Sequence, residues 1–303
     1  MTIPTKKTRL LLLTIYALIA SCGGQQYSKP ANTHFLESSL QKLRSQQFTT
    51  AQHHLHYVEI KDTEEHPVVM IHGTPGSWNT FKFVLGNTQI QSSNHLISID
   101  RLNWGRSISK LNNDNNHAFE SQTQAIADII KTSTKKPVIL LGHSLGASLA
   151  PKVAIENPEL VSGLILVSGT LDPALGSPRW YNKIASLGIL KWAVPNELLQ
   201  SNKEIYALKE GLQTFSSYWD KLTIPVVVIQ GTKDELVDPD NVNYLRKQLS
   251  HLNKQDNKES KLTIIEVDKA GHFIPWEHTD KIVSAIQTVT EYNKNQTLVN
   301  IQK

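Results

Sequence analysis

Val138-Ile139-Leu140-Leu141-Gly142-His143-Ser144-Leu145-Gly146 decides the fold of this chain. An apolar run of strand length ends in Gly-x-Ser-x-Gly, and a helix-like segment, Ala147 to Asn157, follows at once. This is the setting of a nucleophile elbow. A serine at the tip of a sharp strand-to-helix turn is held in strained backbone geometry, so its neighbours must be small enough for other strands to approach closely. Gly142 and Gly146 supply that room. The turn also directs the first N–H groups of the following helix at whatever the serine attacks, where they stabilise a developing negative charge.

The same strand-then-helix rhythm extends in both directions. His54 to Ile60 alternates polar and apolar residues, the period of a half-buried strand. Pro67–His72, His95–Asp100, Leu164–Ser168 and Pro225–Gln230 are continuous apolar runs suited to the interior of a parallel sheet, and Lys261 to Val267 reads as a further strand. Helical patterns cover Trp78 to Leu85, Ala118 to Lys131 with an apolar stripe of Ala125, Ile126, Ile129 and Ile130, Asn241 to Leu252, and Trp276 to Tyr292, beyond which a polar tail reads as frayed. Strands alternating with helices imply an α/β fold, a mainly parallel sheet with helices on both faces. Leu111 to His117 is Asn-rich and reads as a surface loop; Pro151 should remove one bond from the helix after the elbow. From Thr170 to Thr223 the rhythm gives way to short amphipathic segments broken by Pro173, Pro178, Gly188 and Pro195 and rich in aromatics, an insert able to line a pocket.

At the N-terminus Lys6, Lys7 and Arg9 precede an apolar run from Leu10 to Ala20, too short to span a bilayer comfortably and typical of a secretory signal. It ends at Ile19-Ala20-Ser21-Cys22, and Cys22 is the only cysteine, with no intramolecular disulfide partner. Ile19 to Cys22 resembles a bacterial lipobox. That resemblance implies cleavage before Cys22, acyl chains on its sulfur and amino group, and a lipid-anchored protein of the bacterial cell envelope. Gly23 rather than Asp after the cysteine favours the outer membrane if the host has one. Gly23 to about Thr50, rich in Gln, Ser, Asn and Lys, reads as a flexible tether. The expected organisation is therefore residues 1–21 as signal, 22–50 as tether, 51–169 and 224–303 as the two parts of the core, and 170–223 as the insert.

Processing also bears on partners. The chain carries 31 Lys and Arg against 27 Asp and Glu, and loss of Lys6, Lys7 and Arg9 lowers the formal net charge from +4 to +1. A nearly neutral chain without a basic run gives no support to nucleic-acid binding, which depends on neutralising phosphates. His53, His54 and His56 raise the question of a metal, but no third ligand lies nearby and an exposed edge pair is the better reading.

A serine hydroxyl needs a base, usually histidine, itself oriented by a carboxylate. Both types stand at expected strand ends. Asp234 follows Ile229-Gln230-Gly231-Thr232-Lys233, and His272 closes Asp268-Lys269-Ala270-Gly271-His272, at the sheet edge where functional groups of parallel sheets gather. Asp238, four residues beyond Asp234 and beside Pro239, and Asp172, after the preceding strand, are rival acids; His143 reads as a packing residue. His72-Gly73-Thr74-Pro75-Gly76-Ser77 forms a loop whose backbone N–H groups can come close to a substrate oxygen.

With His-Gly, Gly-His-Ser-Leu-Gly, Gly-Thr-Lys-Asp and Gly-His-Phe in that order, the chain from about Leu55 to Tyr292 resembles the α/β-hydrolase superfamily. The resemblance implies Ser144 as nucleophile, His272 as general base and then acid, Asp234 as orienting acid, the N–H groups of Thr74 and Leu145 as oxyanion hole, and Thr170–Thr223 as a short helical cap after strand six of the family sheet. Asp100-Arg101 stands where the family has Asp-x-x-Gly-x-Gly-x-Ser, but Asn103-Trp104 and Arg106 depart from that pattern, which bears on pocket shape. Haloalkane dehalogenases and epoxide hydrolases of this fold carry an aspartate at the nucleophile position, so Ser144 points instead to acyl transfer to water. The expected substrate is a small-molecule carboxylic ester with an apolar acyl or alcohol part, cleaved through an acyl-enzyme without metal or organic cofactor. Amide, thioester or carbon–carbon hydrolysis on the same residues is the alternative, as is a non-catalytic ligand-binding lipoprotein of the same fold.

Overall fold

Each continuous apolar run buries its two faces against different layers, and this is what fixes the architecture. The computed structural model describes residue 36 and residues 38–111, 118–178, 182, 195–253 and 260–301. The expected signal segment, Cys22, the Asn-rich stretch 112–117 and residues 179–181 and 183–194 of the expected cap lie outside the described residues.

The strands are β1 (Arg44–Thr49), β2 (His53–Ile60), β3 (Val68–Ile71), β4 (Leu96–Ile99), β5 (Ile108–Ser109), β6 (Val138–His143), β7 (Val161–Val167), β8 (Val226–Gly231) and β9 (Leu262–Val267). They form one sheet in the order β1-β2-β4-β3-β6-β7-β8-β9, with β5 pairing to β2 off this path. From β4 to β9 every pairing is parallel; the pairings of β2 with β1, β4 and β5 are antiparallel. The helices are α1 (Lys82–Leu85), α2 (Thr88–Gln91), α3 (Phe119–Ser133), α4 (Leu145–Glu156), α5 (Asn196–Phe215), α6 (Asn241–Gln248), α7 (Ile274–Glu277) and α8 (Thr279–Ile301). This is the α/β-hydrolase arrangement, with the insert following β7, sixth along the main path of the sheet.

Alternate residues of the central strands enter two cores. Val69, Leu140, Leu164 and Val226 face Ile126, Ile129, Leu149 and Leu212 on one side, while Met70, Leu141, Ile165 and Val227 face Val84, Ile282, Ile286 and Val289 on the other. Two buried faces explain why these strands read as unbroken apolar runs.

Four expectations change. Arg44–Thr49, placed in the tether, is the edge strand of the sheet, paired from Arg44↔Glu59 to Thr49↔His54. Its polar composition reflects a strand whose side chains face mostly solvent. The half-buried reading of β2 fails because that strand is covered on both faces, only His54 being exposed. Accordingly His54 and His56 are not an exposed edge pair: His54 is exposed but His56 is buried, as is His53, and among the described residues no group of three His, Cys, Asp or Glu suits a metal ion. The closing helix does not fray after Tyr292 but runs to Ile301. Pro151 sits inside α4 as expected, and among the described residues no helix is long and apolar enough to cross a membrane.

Candidate active site

The site grows from the junction of β6 and α4. Ser144 occupies that junction with φ 55° and ψ −122°, a left-handed conformation that costs a non-glycine residue energy. The surrounding ladder holds it there: Ser144 N donates to Val167 O at 2.9 Å, and Ser144 O accepts from Ala147 N at 3.0 Å. Close packing is obligatory, since a Cβ on Gly146 would lie 2.2 Å from Ile71 O.

Asp234 and His272 meet beyond the ends of β8 and β9. His272 Nδ1 bonds Asp234 Oδ2 at 2.8 Å, and both side chains are buried. The other carboxylate oxygen accepts Val237 N at 2.8 Å and Leu236 N at 2.9 Å, and Gln230 Nε2 reaches Oδ2 at 3.1 Å. Burial alone pushes this carboxyl upward, but the His272 bond and charge, with the two backbone donors, hold it below the usual carboxylate range. Neither rival acid touches His272. Asp238 Oδ1 accepts Asp240 N at 3.0 Å and Asp172 Oδ1 accepts Ala174 N at 2.8 Å, each closing its own turn. No hydrogen bond joins Ser144 Oγ to His272 in the free protein, where such contacts are commonly long and tighten on substrate binding.

The loop after β3 lies against the serine. A Cβ on Gly73 would fall 2.8 Å from Ser144 Cβ and 3.3 Å from its Oγ, so only glycine allows this approach. Among the described residues, the N–H groups of Thr74 and Leu145 have no hydrogen-bond acceptor. Leu145 opens α4, where a helix leaves its first N–H groups unpaired. Two unsatisfied donors beside one strained serine suit a developing oxyanion.

Histidines around the site have structural duties. His143, expected only to pack, bonds His272 O through Nε2 at 3.0 Å and lies 4.9 Å from the His272 ring, with Trp276 edge-on at 5.6 Å. Burial first, and the neighbouring His272 second, lower its pKa to about 3, so it brings no charge to oppose an imidazolium at His272. His72 is likewise lowered to about 3 by burial and the Arg101 charge. It accepts from Arg101 N at 3.0 Å through Nε2 and donates through Nδ1 to Gly73 O at 2.7 Å.

Arg101 and Glu204 escaped sequence reasoning as a pair. They are fully buried and joined by two 2.9 Å bonds, one from each terminal guanidinium nitrogen. The available signals were weak: an arginine directly after a strand-end aspartate, and one glutamate within a polar cap helix.

Comparison with known proteins gives the same fold and a range of chemistries. The chain is 23% identical over 267 residues to "(E)-2-((N-methylformamido)methylene)succinate hydrolase" of Acinetobacter baylyi (strain ATCC 33305 / BD413 / ADP1), a match covering 78% of this chain and 94% of that protein. Other curated relatives are matched over 26% to 51% of their own length. Among solved structures, the thioesterase domain from the curacin biosynthetic pathway superposes with a TM-score of 0.60 at 16% identity, covering 81% of this chain and 99% of that one. A membrane phospholipase A, a bacterial virulence factor, does so with a TM-score of 0.60 at 14% identity, covering 96% and 100%. The model described as "Alpha/beta hydrolase family" matches residues 68–285, from the first central strand to beyond His272, and by that match the chain belongs to this family.

Proposed function

We propose that this chain is a serine hydrolase that cleaves acyl compounds through a covalent intermediate on Ser144. The observation that carries the reading is the buried Asp234–His272 bond at the same sheet edge as a serine in strained backbone geometry. In this reading His272 Nε2 takes the hydroxyl proton as Ser144 Oγ attacks the substrate carbonyl carbon. Negative charge passes to the carbonyl oxygen, which the N–H groups of Thr74 and Leu145 receive. Collapse of the tetrahedral intermediate expels the leaving group with the proton from His272 and leaves an acyl-serine. A water molecule, deprotonated by His272, then attacks the acyl carbon and releases the acid, restoring Ser144 with its proton. Asp234 stays ionised and stabilises the imidazolium formed at each half-reaction.

The relatives support a broader substrate range than the esters expected from the sequence. Their names run from an N-methylformamido compound to thioesterase and phospholipase. The relative matched over 94% of its length carries the amide-type name, which supports amide cleavage as a full alternative to ester cleavage, and the thioesterase likeness supports thioester cleavage as another. Treatment with a fluorophosphonate probe and mapping of the modified residue tests the reading: Ser144 should be labelled, and Ser144→Ala should abolish both labelling and hydrolysis, with turnover falling by about a millionfold. Absence of labelling in the folded wild type sinks it in favour of a binding role. Matched acyl p-nitrophenyl ester, thioester and anilide substrates then rank the bond types.

The lipobox resemblance supports a lipid anchor at Cys22 and a bacterial envelope location. Cys22→Ala should release the protein from membranes of the host; unchanged membrane association refutes the anchor.

A further inference from the structure

The cap helix α5 is bonded directly to the loop that carries Thr74. Gln200, Ser201 and Glu204 share one face of its first three turns. Thr74 Oγ1 donates to Ser201 Oγ at 3.0 Å, and Gln200 Nε2 donates to Asn103 O at 2.6 Å. Glu204 accepts both terminal nitrogens of Arg101, and its Oε1 also accepts Trp104 Nε1 at 2.9 Å.

A guanidinium presents five N–H donors in a rigid fork. Arg101 uses all five. Beyond the two to Glu204, Nη1 reaches Gln122 Oε1 at 3.1 Å, Nε reaches His72 O at 3.0 Å, and Nη2 reaches Gly73 O at 3.0 Å. One fully buried side chain therefore joins α3, the cap helix and the loop after β3. The bond to Gly73 has a particular geometric effect. The Gly73 C=O and the Thr74 N–H belong to one planar peptide unit and point in opposite directions, so fixing the carbonyl fixes the aim of the donor.

We infer that Arg101 and Glu204 are positioning residues, a clamp through which the cap helix sets the aim of the Thr74 N–H. The inference rests on the serine-hydrolase reading for its catalytic meaning. The geometric part stands alone: without Glu204 the guanidinium loses its anchor on the cap and its hold on Gly73 O loosens, leaving the bond from His72 Nδ1 at 2.7 Å as the firm restraint on the Gly73–Thr74 peptide, so its N–H is aimed less narrowly. An oxyanion donor acts only when it is already in position as charge develops, so the loss falls on the transition state and not on substrate binding.

The test uses the full chain with Glu204→Gln, which preserves side-chain shape, and Ser201→Ala, which removes only the hydroxyl contact to Thr74. Three quantities are measured: the second-order rate of fluorophosphonate labelling, kcat and KM for p-nitrophenyl acetate, and hydrogen–deuterium exchange of peptides spanning residues 72–76. Glu204→Gln should lower the labelling rate and kcat by about 100-fold with KM held within about twofold, and should raise exchange in the 72–76 segment while β6 and β7 stay protected. Ser201→Ala should lower the labelling rate by about three- to tenfold, and it decides the matter if Glu204→Gln does not fold. Labelling rates within about twofold of wild type in the folded variants, or unchanged exchange at 72–76, overturn the clamp. A wild type inert to every acyl probe defeats the hydrolase reading alone, because exchange at 72–76 still tests whether the cap restrains the loop.

Discussion

Among the described residues three buried histidine–carboxylate pairs occur; beside His95–Glu59 stand two whose histidines both bond through Nδ1, and only one of these two neighbours a strained serine. His272 Nδ1 meets Asp234 Oδ2 at 2.8 Å, and His56 Nδ1 meets Asp100 Oδ2 at 2.7 Å. The second pair even has a serine on its far nitrogen, with Ser45 Oγ 2.9 Å from His56 Nε2. By side-chain distances alone, Ser45–His56–Asp100 is the better-formed triad. What it lacks is backbone. Ser45 lies in a regular antiparallel register opposite Val58, on an exposed edge strand that opens no helix. Ser144 stands in a left-handed turn at the start of α4, with unpaired N–H groups at Leu145 and Thr74. A hydrogen-bonded trio ties β1, β2 and the end of β4 together; a nucleophile requires, in addition, somewhere for negative charge to go.

Substituting each carboxylate is the severest way to break that contrast. Asp234→Asn should lower the rate of Ser144 labelling and turnover by about 10,000-fold, through loss of the oriented histidine tautomer, with the fold retained. Asp100→Asn should do the reverse. It leaves a buried pair and the N–H groups of Trp78 and Arg106 without their charged acceptor, so stability to urea should drop by about 3–5 kcal/mol while folded protein labels within about threefold of wild type. Equal loss of labelling in both variants would erase the distinction.

Acid offers a milder probe, because each pair has a buried neutral histidine beside it: His143 against His272, and His72 near Asp100. Both have folded pKa values of about 3, below the value of 6.5 they take when unfolded. Below pH 6.5 the unfolded chain therefore binds more protons than the folded one, and stability falls as pH falls, by up to about 1.4 kcal/mol per pH unit for each histidine. Urea midpoints between pH 6.5 and 4.5 should show this slope, reduced in His143→Gln by the share of one histidine. A slope unchanged by that substitution would mean His143 is not held neutral. The smallest effect belongs to Ser45→Ala, which removes a part-buried hydrogen bond to His56 and a long, exposed one from Arg106: about 1 kcal/mol or less of stability, and no change in the labelling pattern.

The elements legible in the sequence are those whose residues face one environment throughout. Strands β3, β4, β6, β7 and β8 are buried on both faces, so their middles are apolar, with Ser98 of β4 the exception, and Ser144, Asp234 and His272 each follow one of the central or neighbouring strands at a turn rich in small residues. Strand β1 was hidden because Arg44-Ser45-Gln46-Gln47-Phe48-Thr49 gains its place through backbone pairing with β2 rather than through burial. His56 misled for the opposite reason: a polar residue in the interior is legible only with its partner, and Asp100 is 44 residues away. The Arg101–Glu204 pair spans 103 residues, and no local pattern encodes such a meeting.

That span has a consequence for how this protein can be altered. The cap helix offers exposed positions at Glu197, Lys209 and Glu210, where a mutagenesis library should find wide tolerance. Position 204 is different, because its bidentate partner is buried in the core. A cap taken from another hydrolase will seat on this scaffold only if it brings an acid to that turn, or if Arg101 is changed in the same step. The insert is separable in sequence but not in inheritance.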